Sequence, residues 1–145
     1  MTIALYHRQS MRRAFYMQNP KLTHISFISR LSLGFLFIYH GLVPKILWLS
    51  PVETHLVSLS GLDLPANIVS LLAGIGEVLL GGSIIFFRKS IIPIYVAVVV
   101  LLLLLLFVGF VSPKYLVEAF NPVTTNMLGL SFCYLIWFVH RNEKI

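Results

Sequence analysis

The chain has 145 residues, 58% of them hydrophobic and only 11% charged, which excludes an ordinary soluble domain and defines an integral membrane protein. Its formal charge of +6 comes from cations flanking apolar stretches, not from a basic patch interleaved with aromatics, so nucleic acid is excluded as a partner. The lone cysteine, Cys133, excludes an internal disulfide and every C-x-x-C redox or metal motif.

Residues 1–22 form a basic segment with Arg8, Arg12, Arg13 and Lys21, suited to an anionic membrane surface. It holds no apolar stretch long enough for a cleavable signal, so the first span is expected to act as an uncleaved insertion signal. A four-span domain over 23–140 and a short tail over 141–145 complete the expected organisation. A hydrocarbon core about 30 Å thick needs around 20 apolar helical residues. Four stretches approach that length: Leu31 to Leu49, Leu64 to Phe87, Ile91 to Val111 and Val123 to Val139. The predicted fold is therefore all-α, a four-transmembrane-helix bundle with short interfacial helices in the outer loops.

Ser50-Pro51-Val-Glu53 supplies an N-cap, a proline at the first helical position and a capping-box glutamate, predicting a short surface helix that Gly61 stops. Its stripe Val52, Leu56 and Leu59 suits the membrane surface. Asp63 and Pro65 launch the second span, and Ser90 caps the third, where Pro93 is tolerated in the first turn. Ser112-Pro113 ends the third span, a second short helix is expected from Pro113 to Phe120, and Asn121-Pro122 opens the fourth. The repeated Ser-Pro connections hint at a duplicated helical hairpin.

Charge sets the expected topology. With both termini in the cytoplasm, Arg8, Arg12, Arg13, Lys21, Arg30, Arg88, Lys89, Arg141 and Lys144 lie inside, against Lys45 and Lys114 outside. The expected location is a bacterial cytoplasmic (inner) membrane.

Glu77 is the most informative residue. An ionisable group inside a bilayer costs about 2.5 to well above 10 kcal/mol and normally turns toward a partner or a wet cavity. Ala66, Ser70, Gly74, Glu77 and Gly81 share one helical stripe, so the carboxylate is expected to face the bundle or an oligomer seam. It serves there either as packing glue or as a functional site. His40 in the first span comes to a similar depth and is its candidate proton-sharing partner, the alternative being a neutral histidine bonded to a carbonyl. Lys45 and Asn126 form a candidate polar mouth, beside Tyr39. For Lys45 the favoured reading is outward snorkelling. Pro44 is expected to bend this span or free a carbonyl. Gly129 continues a small and polar stripe with Asn126 and Cys133, expected to pack on the second span. The leucine-rich third span reads as a lipid-facing wall.

The stretches Tyr39-His40-Gly41-Leu42-Val43-Pro44-Lys45 and Ala73-Gly74-Ile75-Gly76-Glu77, with Asn121-Pro122 opening the last span, resemble the DoxX-like family of small bacterial four-span membrane proteins. The resemblance runs from about Leu31 to His140. It implies a membrane partner in redox or quinone-linked work, since relatives of the family include a subunit of a thiosulfate:quinone oxidoreductase and membrane partners of redox enzymes. Branches that look thiol-active need paired cysteines, which this chain lacks. The resulting expectation is a protein that binds a quinone or other lipid-like molecule, or a redox enzyme partner, around Glu77, His40, Lys45, Asn126 and Tyr39. Independent catalysis is not expected, a membrane subunit of an oxidoreductase is an open alternative, and no metal site is expected. The alternatives are a small oligomeric transporter or channel, formed as a homo-oligomer, and a structural assembly factor.

Overall fold

The computed structural model describes residues 20–61, 64–119 and 121–143. Arg8, Arg12, Arg13, Asp63, Phe120 and Lys144 lie outside the described residues. Five α-helices and no strand occur among those described: α1 (Pro20–Leu42), α2 (Pro51–Leu59), α3 (Ala66–Phe86), α4 (Ile92–Val111) and α5 (Pro122–Glu143). All but the short α2 are long and apolar enough to cross a membrane, and a π-helical turn, Val43–Leu47, extends the α1 span to Leu47. The first span begins at Pro20, well before the apolar run at Leu31, because an established helix propagates cheaply through polar residues such as Thr23 and His24.

Local chemistry accounts for most helix boundaries. Ser50 Oγ accepts a hydrogen bond from Val52 N–H at the start of α2, and Gly61 takes φ 74° just past its end. Ser90 Oγ accepts from Ile92 N–H, and Asn121 Oδ1 from Thr124 N–H, starting α4 and α5. The segment after α4 is a single 3-10 turn, Pro113–Leu116, instead of a second short helix reaching Phe120. Pro113 starts that turn, but Val117 to Ala119 leave helical geometry.

The tightest packing joins α1 to α3. A Cβ built on Gly41 would lie 2.5 Å from the Gly74 carbonyl oxygen, and one on Gly74 would lie 2.6 Å from that of Gly41. Two turns along, Gly34 and Gly81 oppose each other likewise, at 2.9 and 2.6 Å. Both helices space these glycines by seven residues, so the two antiparallel backbones touch at two levels, as small residues permit in a membrane.

The core of Leu33, Phe37, Ile84, Ile94, Ala97, Leu101, Cys133 and Ile136 draws on all four spans. Two expectations change here. α5 packs on α1 and α4 instead of the second span, and a Cβ on Gly129 would meet Leu101 Cδ1 at 2.9 Å. The third span is also more than a lipid wall, since Pro93, Ile94, Ala97, Leu101 and Val108 are buried along one face. Uniform apolarity hid that face, because a helix hydrophobic all round carries no moment to orient it.

Arg30 is 4% exposed, not a surface cation. Its Nη1 donates to the Ile84 carbonyl and its Nη2 to the Ser90 carbonyl, both at 3.2 Å. These bonds clamp α1 to the last turn of α3 and to the turn leading into α4. At the same end, Arg88 lies 4.6 Å over the Phe27 ring.

Candidate functional site

The site lies at the opposite end of the bundle from Arg30, where α1 breaks. Pro44 has no N–H to donate and its ring crowds the carbonyl four residues earlier, so the α-helical ladder cannot continue. The chain widens into the π turn, with Trp48 N–H donating to Val43 O at 2.9 Å and Ser50 N–H to Pro44 O at 2.8 Å.

Lys45 belongs to that turn and is 8% exposed. It does not snorkel outward. It continues the inward stripe of Leu33, Phe37 and Gly41, and helical side chains lean toward the N-terminus, which for Lys45 means into the bundle. Gly74 leaves the room: a Cβ there would sit 2.9 Å from Lys45 Cβ. Lys45 Nζ donates to Glu77 Oε1 at 2.5 Å, making a buried ion pair across the α1–α3 seam. Glu77 is 7% exposed, and its other oxygen, Oε2, has no hydrogen-bond partner. The hydrogen bond to Glu77 thus comes from Lys45 and not from His40, the candidate proton-sharing partner. From the Gly41–Gly74 register, Glu77 is level with Ile38 and His40 with Ile75, about 3 Å apart along the axis.

Glu53 was missed as a site residue. Its position suited a capping box, but Ser50 N–H is already bonded to Pro44 O, so the carboxylate is left to approach Lys45 Nζ at 3.8 Å. α2 packs against α3 and α4, with Leu56 and Val57 buried. Burial pushes the Glu53 carboxyl above its ordinary value, with Glu77 adding to the rise and Lys45 opposing it. An acid raised in the folded state favours folding while protonated, and that contribution is lost as pH climbs from the ordinary carboxylate value through the raised one. Infrared titration is expected to show a protonated carboxyl band persisting above the ordinary carboxylate range, absent from Glu53→Gln.

These groups line a cavity of about 380 Å³. Its polar lining is His40, Lys45, Glu53, Glu77, Glu118, Thr125 and Asn126, with Tyr115. Leu36 and Phe37 of α1, Leu56 of α2, and Leu101, Leu104 and Val108 of α4 form apolar walls. Asn126 is 6% exposed, whereas the side chains of His40 and Glu118 stand at the open part of the lining. Tyr39 is 50% exposed outside the cavity, with its ring 5.8 Å from that of Phe35. The α4 residues and Tyr115 had no polar or periodic signal that would single them out. Among the described residues, no group of three or more His, Cys, Asp or Glu could hold a metal ion.

Fold and cavity together define a four-span helical membrane protein with a buried lysine–glutamate pair beside a small, half-open chamber. The DoxX-like family matches residues 34–136, a stretch from Gly34 to Ile136 that includes every residue lining the chamber, and the chain belongs to that family. Comparison with curated proteins and with solved structures gives no match.

Proposed function

We propose that this protein is a membrane subunit that binds a quinone or other lipid-like molecule in support of a redox enzyme partner, with the termini in the cytoplasm and the cavity near the outer face of a bacterial inner membrane. The observation that carries this reading is Glu77: a buried carboxylate, ion-paired through one oxygen and unsatisfied at the other, on the wall of a cavity within the roughly 300–1,000 Å³ range of small-molecule sites. A buried acceptor without a partner costs about 1–3 kcal/mol or more, and a ligand that donates a hydrogen bond offsets it. Lys45, His40 and Asn126 are among the groups able to donate to a ligand carbonyl, and Leu101, Leu104 and Val108 would hold an apolar body. Glu77 is the proton-exchanging group of this reading. Electron transfer belongs to the quinone when bound, and the side chains bind its head and exclude water. Tyr39 lies outside the residues that line the cavity.

Transport through a single copy is less well supported, because Leu33, Phe37, Ile84 and Ile136 fill the bundle between the cavity and the Arg30 end. Photolabelling in membranes by a quinone analogue tests the proposal. Labelling is expected on peptides from α1 and α4, lost in Glu77→Gln, and absence of labelling in the intact protein would refute quinone binding.

A further inference from the structure

Electrostatics narrows the kind of head group this cavity accepts. Three acids, Glu53, Glu77 and Glu118, line it against one ammonium, Lys45, an excess of two negative charges once all three are ionised and histidine is neutral. Lys45 is committed, at 2.5 Å from one Glu77 oxygen and 3.8 Å from Glu53. In its ionised form the unpartnered Glu77 Oε2 is an acceptor only, and it belongs to a side chain more than nine-tenths buried. The walls opposite are leucine and valine, and they offer an incoming charge no compensation other than these acids.

We propose that the ligand is an amphipathic amine, whose protonated amino group donates to Glu77 Oε2 between Glu53 and Glu118 and whose hydrocarbon body lies along Leu101, Leu104 and Val108. This deepens the lipid-like ligand of the previous subsection by naming its head, and it rests on that reading. A single-chain amine fits better than an aminophospholipid, whose phosphate would be carried toward the same carboxylates. A sulfate or carboxylate head is repelled, and a neutral hydroxyl head satisfies Oε2 but leaves the excess charge unanswered.

Native mass spectrometry of the full chain in neutral maltoside micelles can compare an alkylammonium, an alkyl alcohol and an alkyl sulfate of equal chain length, with a ubiquinol analogue as a fourth probe. The alkylammonium is expected to bind about tenfold or more tighter than the alcohol. The sulfate is expected not to bind. Glu118→Gln, at the exposed rim, should weaken the alkylammonium about two- to fivefold and leave the alcohol unchanged. Glu53→Gln should weaken it more. Equal binding of amine and alcohol, preference for the sulfate, or indifference to both substitutions overturns the proposal. Binding of the ubiquinol analogue without the amine overturns the amine assignment and leaves the proposed function standing. Failure of all four probes removes both.

Discussion

Replacing Glu77 by leucine is expected to destabilise the bundle by about 3–5 kcal/mol, because the change strands a buried ammonium. Lys45 is 8% exposed and held 2.5 Å from Glu77, and its nearest other carboxylate, Glu53, stands at 3.8 Å on a different helix. Part of the loss is recovered if α2 shifts so that Glu53 closes on Lys45. The double variant Lys45→Met with Glu77→Leu removes both charges and is expected to return to within about 1–2 kcal/mol of the parent, or above it, since apolar replacements of buried pairs are often neutral or stabilising. Unfolding in mixed micelles measures both. A double variant that is stable yet binds no ligand separates a functional carboxylate from a packing device. A double variant no more stable than Glu77→Leu would contradict the Lys45–Glu77 pairing.

Alanine scanning of the glycines is expected to divide them by sign. Gly41→Ala and Gly74→Ala push a methyl group into the facing backbone carbonyl, where nothing flexible can yield, and each should cost at least about 1–3 kcal/mol. Gly74→Ala carries a second penalty, because the same methyl group collides with the stem of Lys45 and moves the ammonium off Glu77. Gly76→Ala and Gly82→Ala meet nothing within 4 Å and should be neutral or stabilising by up to about 1 kcal/mol, the difference in helix propensity between the two residues. Thermal unfolding of the four variants in one detergent makes the comparison. Equal losses at all four positions would contradict the close α1–α3 approach.

The spans were legible because length and apolarity alone define them, and the α2 boundaries because Ser50, Pro51 and Gly61 carry their own conformational preferences. Glu77 was legible through its cost in lipid. Its partner was less so, because lysines near helix ends have two ways to relieve their charge, and choosing inward required the glycine register of the facing helix. The pattern that decides it, Gly34 and Gly41 against Gly74 and Gly81, stood in the sequence as two equal spacings of seven. The Glu53 contact was hidden because the π turn brings α2 against α3 and α4 and gives the capping bond to Pro44. The contribution of the third span to the cavity was hidden by its uniform apolarity, and the α5 neighbours by the lack of any register between spans four and one.

The polar anchors of the first helix have an implication for biosynthesis. Arg30 is bonded to the Ile84 and Ser90 carbonyls, and Lys45 to Glu77 with Glu53 nearby, so these partners are all translated after α1 itself. Until the second span emerges, the Lys45 ammonium lacks the Glu77 carboxylate and Arg30 lacks these two carbonyls. Insertion of the first two spans together as a hairpin, in contact along Gly34, Gly41, Gly74 and Gly81, would bring the Lys45 ammonium to Glu77 as both enter the membrane.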